Sequence, residues 1–226
     1  MSRIHDMGGR FGDGSVVPDF GKEPVFKEEW HGRALGLTVA SGFLGQWTLD
    51  EGRYMRECLS PVDYSGFSYY EKWLAGLADM LVTKGIISRH ELETLTPVEP
   101  PKDLKQRCLR PENVLSALSK GGPTERESGP QPEFFVGQSV VTRSAENLNI
   151  NGGHTRLPTY AAGKQGAIVA LHGNHVFPDS NAHKAGEAPE PLYTVAFRAE
   201  TLWQHPEKQE DVILLDLWQS YLYPKS

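Results

Sequence analysis

The sequence predicts an α+β protein: a helical amino-terminal half, and a carboxy-terminal half of short strands forming a small β-barrel. Three observations predict it. Helix-start signals recur between residues 48 and 91, prolines crowd residues 96–132, and after residue 134 the apolar pattern shortens to brief alternating runs separated by turn formers.

Composition limits what the chain can do. The 226 residues carry 23 Lys and Arg against 29 Asp and Glu, a net charge of −6. Such a balance offers no polyanion-seeking surface, so no nucleic acid partner is expected. Apolar residues make up 38%, enough for a core, while 23 glycines and 16 prolines imply more loop than one compact domain needs. Cys58 and Cys108 cannot build a disulfide framework or a four-thiolate metal site, and a reducing compartment is the simplest reading. No apolar run reaches the ~18 residues that span a bilayer. Residues 1–14 also lack the apolar stretch of a signal peptide, so a cytoplasmic protein with no membrane partner is expected.

Residues 1–27 are rich in Gly, Asp and Pro and show neither helical nor strand period, which predicts an extended arm. Its large apolar residues, Ile4, Met7, Phe11, Val16, Val17, Phe20, Val25 and Phe26, are more than a solvated tail needs. They are anchors for a docking surface, on this chain's own body or on another chain.

Residues 28–95 read as a helical domain. Thr48 with Glu51, Ser68 with Glu71 and Ser88 with Glu91 have the spacing of capping boxes, in which the hydroxyl accepts from the third helical amide and the Glu reaches back to the cap amide. Pro61 should close the helix begun at Thr48, and Gly85 should supply the left-handed residue after the helix begun at Ser68. Tyr69, Trp73, Leu77 and Leu81 recur at four-residue steps, a single stripe facing a neighbour.

Residues 96–132 hold seven prolines and many charges, predicting a stiff linker that lies extended across a surface, with one short helix over 111–120. Residues 133–226 form the barrel domain, with strands predicted at 138–143, 166–171, 193–198, 211–217 and 220–223. The alternation is clearest where Tyr193, Val195 and Phe197 oppose Thr194, Ala196 and Arg198. The Gly- and Asn-rich loop 147–163 is long enough to carry function.

Several groups could carry chemistry. His172, His175, Asp179, His183 and Glu187 are all metal-competent donors, but Gly173, Pro178 and Pro189 interrupt them, and a wandering loop stabilised by its own side chains is the simpler reading. No nucleophile elbow, phosphate loop, dinucleotide fingerprint or zinc-protease motif is present. Cys58 has no evident His or Asn partner, so a buried structural thiol is the simpler role. Arg53 lies one helical turn after Leu49, and Arg156 sits in Gly152-Gly153-His154-Thr155-Arg156-Leu157-Pro158. On pattern alone each reads as a surface residue. Only an external need for a planar, permanently charged fork at both places would overturn that reading.

Taken in order, the segments resemble a known family, the β subunit of nitrile hydratase. The likeness starts at Ile4-His5-Asp6-Met7-Gly8-Gly9 and continues through Glu23-Pro24-Val25-Phe26, Glu29-Trp30 and Leu49-Asp50-Glu51-Gly52-Arg53. It runs on through Pro61-Val62-Asp63-Tyr64, Ser68-Tyr69-Tyr70-Glu71-Lys72-Trp73, Gly153-His154-Thr155-Arg156-Leu157-Pro158 and Gly163-Lys164-Gln165-Gly166. His172-Gly173, Val176-Phe177-Pro178-Asp179, Gly186-Glu187-Ala188-Pro189 and Leu192-Tyr193-Thr194-Val195-Ala196-Phe197 complete it, so nearly the whole chain is covered.

The resemblance implies an SH3-like barrel and a chain that binds no metal itself. Its partner would be an α subunit holding cobalt, rather than iron, through oxidised cysteines, in an αβ or (αβ)2 complex that hydrates a small nitrile to an amide. The arm would wrap that subunit. Arg53 and Arg156 match arginines that hydrogen-bond the cysteine oxygens, a task suited to a rigid multi-donor fork. Tyr69 matches a tyrosine near the metal pocket, and Leu49 and Trp73 match its walls. Trp at 73 and the run His175-Val176-Phe177-Pro178-Asp179 look like the cobalt type, whereas Lys72 and Thr38 depart from residues common there and leave the substrate range open. The related thiocyanate hydrolase divides the two halves between separate chains, unlike this one. A stand-alone metal enzyme using His172 and His175, or a barrel-type interaction module, is the reading from outside the family.

Overall fold

The computed structural model describes residues 4–6, 18, 20, 21, 23–98 and 102–225, without the side chain of Lys102. Of these, 18–98 and 102–122 form one compact unit, and 4–6 with 123–225 form a second.

The first unit is helical. It contains α1 (Glu29–Gly42), α2 (Leu49–Glu57), α3 (Pro61–Gly66), α4 (Tyr69–Thr83), α5 (Arg89–Thr94) and α6 (Lys102–Arg107). A 3-10 turn (Pro111–Asn113) then leads into α7 (Val114–Lys120). The predicted caps form: Glu51 N–H donates to Thr48 Oγ1 at 3.1 Å while Thr48 N–H donates to Glu51 Oε2 at 2.8 Å. Ser68 N–H and Ser88 N–H donate to Glu71 and Glu91 at 2.7 Å each. Gly85 ends α4 with φ +66 as predicted. Pro61 does more than close α2: with Ser60 as cap it is the first residue of α3, where its missing N–H needs no partner. Of the α4 stripe only Leu77 is buried, beside Gly76 and Met80; Trp73 and Leu81 are half-buried, Tyr69 is 63% exposed, and α1 and α2 are the neighbours that α4 packs against.

Glu91 gives the amino-terminal unit a pH dependence. The Ser88 amide, the Val98 amide and the Ser88 hydroxyl, in falling order, hold its carboxyl below the ordinary glutamate value. A depressed carboxylate contributes stability above its unfolded pKa and loses it as pH falls through the folded value. The unfolding midpoint should therefore drop as pH falls from about 5 to about 3, and Glu91→Gln should flatten part of that slope in a series of thermal melts.

The second unit carries β1 (Glu125–Arg126), β2 (Ser139–Thr142), β3 (Gln165–His175), β4 (Glu190–Arg198), β5 (Val212–Trp218) and β6 (Leu222–Pro224). Two short helices, α8 (Pro178–Asn181) and α9 (Ala199–Leu202), lie in its connections. The chain is thus α+β. The antiparallel ladder runs β5-β4-β3-β2-β6, and β1 takes the length of β3 that β2 leaves free. Laid flat, five strands at ~4.8 Å spacing would set β5 and β6 about 19 Å apart. A single 3-10 turn, Gln219–Tyr221, joins them, so the sheet curls. No ladder joins β5 to β6 among the described residues, and the barrel expected from the sequence is here a curled sheet that does not close. Its core is the inward face of β4, Tyr193, Val195 and Phe197, with Val140, Ile168, Leu217 and Tyr221.

Residues 96–132 are more structured than an extended linker. Leu104 of α6 is buried, α7 follows the 3-10 turn, and β1 pairs Glu125 with His175. Of the described prolines, Pro111 starts the 3-10 turn and Pro97, Pro123, Pro130 and Pro132 fall between these elements, where they do not interrupt hydrogen bonding. Of the arm, Met7, Phe11, Val16 and Val17 lie outside the described residues, while Phe20 and Val25 are exposed. Asp6 docks on its own unit, its carboxylate accepting from Thr159 N–H at 2.7 Å and from the Thr159 hydroxyl.

Candidate functional site

In the helical unit the candidate residues stand on two adjacent helix starts. Leu49 opens α2 and is 57% exposed; Arg53 follows one turn later. Arg53 Nη1 donates to Asp50 Oδ1 at 2.7 Å, and the Asp50 side chain is only 7% exposed against 34% for Arg53. A buried carboxylate thus holds one edge of a guanidinium whose remaining N–H groups meet no hydrogen-bond partner among the described residues. Asp50 itself lies on a helical turn anchored by Glu51, which accepts from Thr48 N–H on one oxygen and from Lys84 Nζ at 2.5 Å on the other.

Tyr69 and Trp73 occupy the first two turns of α4, with ring centroids 5.5 Å apart. The guanidinium of Arg56 lies 4.8 Å over the Trp73 ring. Burial, opposed chiefly by Tyr69, holds Arg56 below the ordinary guanidinium value. Gly76 permits this crossing, since a Cβ there would come within 2.7 Å of Arg56 Cγ. Leu49 and Trp73 line one largely apolar cavity of about 510 Å³ together with Thr38, Trp47, Met80 and Leu118. The structure therefore brings Leu49 and Trp73 together, with the Tyr69 ring tilted at 43° against Trp73 and Arg53 on the turn beside Leu49.

Arg156 belongs to the other unit. Its loop is pinned at many points: Asn147 Nδ2 donates to His154 O at 2.7 Å and to Asp179 O at 2.9 Å, and His154 N–H donates to His183 Nε2 at 2.8 Å. Gly153 is required here, because a Cβ would meet His183 Nε2 at 2.8 Å and Ile150 O at 2.9 Å. Leu157 is buried next to Arg156, which is exposed. The loop is thus a fixed platform presenting a cation.

The metal-competent stretch does not converge. Register shifts let β3 run on through His172 and His175, which the sequence reading placed in a loop. His172 hydrogen-bonds with Thr194 at 2.7 Å, His175 with Thr124 at 3.0 Å, and Glu187 accepts from Arg126 at 2.7 Å. Asp179 is buried against Arg143 and Tyr221. Among the described residues no group of three or more His, Cys, Asp or Glu could hold a metal ion. Cys58 is exposed rather than buried: it caps α2, and the next residue, Leu59, takes the core position.

Asp50, Arg56 and the Glu51–Lys84 pair were not anticipated. The three-residue step from Asp50 to Arg53 is a readable helix pairing. Nothing local signals the others, which join distant turns.

The two halves each match a family model: residues 1–116 match the amino-terminal domain of the nitrile hydratase β subunit, and residues 123–224 match its carboxy-terminal domain. The chain belongs to the nitrile hydratase β-subunit family. It is 36% identical over 229 residues to the low-molecular-weight cobalt-containing nitrile hydratase β subunit of Rhodococcus rhodochrous, covering 99% of this chain and 100% of the relative. It is 33% identical over 231 residues to the cobalt-containing nitrile hydratase β subunit of Pseudonocardia thermophila, covering 98% and 96%. A nitrile hydratase β subunit of Pseudomonas putida is 35% identical over 226 residues, covering 99% and 100%. A solved apo-enzyme structure of thiocyanate hydrolase from Thiobacillus thioparus covers 57% of this chain and 100% of its own at 22% identity, with a TM-score of 0.41, too loose a likeness to bear on fold or function. Within the nitrile hydratase β-subunit family, Arg53 and Arg156 thus fall on the two separately matched domains.

Proposed function

We propose that this chain is the β subunit of a heteromeric nitrile hydratase, which with an α subunit adds water across a small nitrile to give the amide. The observation that carries this reading is the match of both halves, in order and over nearly the full length, to β subunits of nitrile hydratases, two of them cobalt-containing. The metal, cobalt, is assigned to the α subunit on the likeness to cobalt-containing nitrile hydratases. Among the described residues no helix is long and apolar enough to cross a membrane, and two exposed thiols fit a reducing, cytoplasmic compartment. An αβ or (αβ)2 assembly follows from the same family reading.

The domain organisation proposed is an arm at 1–27 that wraps the α subunit, a helical domain at 28–95, a connector at 96–132 and an SH3-like small barrel at 133–226. Supporting the barrel are the antiparallel order of the curled sheet and the one-turn link between its outer strands.

Each candidate residue receives a role its surroundings suit. Arg53 and Arg156 donate hydrogen bonds to oxygens of the oxidised cysteines of the α subunit. The Asp50 carboxylate orients the first, and the pinned loop presents the second. Leu49 and Trp73 form an apolar wall for the substituent of the nitrile, consistent with the cavity they line. The hydroxyl of Tyr69, exposed beside that wall, orients groups in the pocket.

The test is production of this chain with and without an α subunit. The purified complex should convert acrylonitrile to acrylamide and carry about one cobalt per αβ pair by elemental analysis. Stoichiometric metal in the isolated chain, or a complex that forms no amide from acrylonitrile, benzonitrile or other small nitriles, would overturn the assignment.

A further inference from the structure

Within the pinned loop, Thr155 and Arg156 both bond to one phenol oxygen, that of Tyr221. Tyr221 is fully buried. It accepts from Arg156 N–H at 3.0 Å and from the Thr155 hydroxyl at 3.3 Å, and it donates its own proton to Asp179 Oδ1. A phenol has one proton and two acceptor positions, so its whole bonding capacity is used. Asp179, 1% exposed, accepts on its other oxygen from Arg143 Nη2 at 3.1 Å, and the Arg143 guanidinium lies 4.8 Å over the Tyr221 ring. Phenylalanine would fill the same volume. What the hydroxyl adds is three hydrogen bonds, of which two end on Thr155 and Arg156.

We propose that Tyr221, locked by Asp179 and Arg143, is a positioning residue for Arg156: it fixes the Arg156 backbone amide, and with it the point from which the guanidinium reaches the oxidised cysteines. The proposal rests on the assignment of Arg156 to the hydration site. Burial, and then the neighbouring Asp179 charge, push the phenol well above its ordinary value, so it keeps the proton it gives to Asp179 at neutral pH.

Tyr193 supplies a matched control. It is equally buried in the same core, but its hydroxyl donates to Gln219 Oε1 at 2.9 Å and accepts from Phe134 N–H at 3.3 Å, with no bond to the Arg156 loop. In the αβ complex, Tyr221→Phe should lower kcat about tenfold with KM changed less than about twofold, and should speed hydrogen exchange of the Arg156 amide about tenfold. Tyr193→Phe should leave kcat within about twofold. In an Arg156→Lys background, Tyr221→Phe should cost less than about twofold more, because its effect passes through the arginine. Equal kcat losses from the two tyrosine variants, or additive losses with Arg156→Lys, would show a merely structural role. Normal turnover in Arg156→Lys would sink the assignment of Arg156 itself, whereas poor turnover there with normal turnover in Tyr221→Phe would sink only the positioning. If Tyr221→Phe does not assemble, Thr155→Val removes a half-buried donor to the same oxygen; faster Arg156 exchange with a kcat lowered about threefold supports the proposal, and unchanged values overturn it.

Discussion

Arg53→Lys and Arg156→Lys should each lower turnover by well over tenfold, more than about 1.4 kcal/mol of transition-state stabilisation, while the complex with the α subunit still forms. The reason is geometric. Arg53 already commits Nη1 to Asp50 at 2.7 Å, and the remaining donors of the fork, fixed in the guanidinium plane, are the ones proposed to face the α subunit. An ammonium at the end of a lysine stem could satisfy the buried Asp50 or reach outward, but it has no rigid second edge to do both. At position 156 the backbone is pinned, so lysine would keep the charge and lose the planar presentation. Steady-state kinetics with gel filtration would separate lost turnover from lost assembly. Near-normal kcat in both variants would leave the two arginines as surface residues.

The second large effect falls on stability. Lys84→Met should destabilise the helical unit by about 3–5 kcal/mol, because it leaves a carboxylate buried without its counter-charge. Glu51 and Lys84 meet at 2.5 Å with side chains each 10% exposed, so water screens the pair little. The contrast is Arg89 with Asp79, 3.8 Å apart and 66% and 48% exposed, where removal should cost no more than about 1 kcal/mol. Adding Glu51→Gln to Lys84→Met should recover part of the loss, since the amide oxygen can still accept from Thr48 N–H. Denaturant melts of the three variants decide the matter: a loss below about 1 kcal/mol for Lys84→Met would mean that the pair is solvated in solution. Glu51 also closes the first turn of α2, so a weakened pair should loosen the turn bearing Leu49 and Arg53.

Much of the architecture was legible locally. Capping boxes at Thr48, Ser68 and Ser88 are contests within four residues, and all three helices start where their hydroxyls stand. The alternation of Tyr193, Val195 and Phe197 survives in β4 because it reports a pleat with one wet face. The continuation of β3 through His172 and His175 was not legible, since the ladder tolerates register shifts that a strict two-residue period does not foresee. Nor was the pairing of β1 with β3, where the partners stand about fifty residues apart. Cys58 misled for a related reason: a helix end can bury Leu59 and leave its neighbour in water.

The candidate site divides the same way. The α+β class, the helix starts, the ordered motifs that resemble the nitrile hydratase β subunit, and the chemistry available at Arg53, Tyr69, Trp73 and Arg156 could all be read from the amino acids alone. These depend on residue type and on spacings of a few residues, which hydrogen bonding and helical pitch convert directly into geometry. Four features emerge on folding: Asp50 grips Arg53 from a buried position, Leu49 and Trp73 share a cavity, Glu51 is neutralised by Lys84, and the Arg156 amide bonds to Tyr221, itself held by Asp179. Apart from the first, each joins residues far apart in the chain. Even the first depends on burial, which only the packed fold sets and which makes a carboxylate beside a guanidinium a clamp rather than a solvated pair.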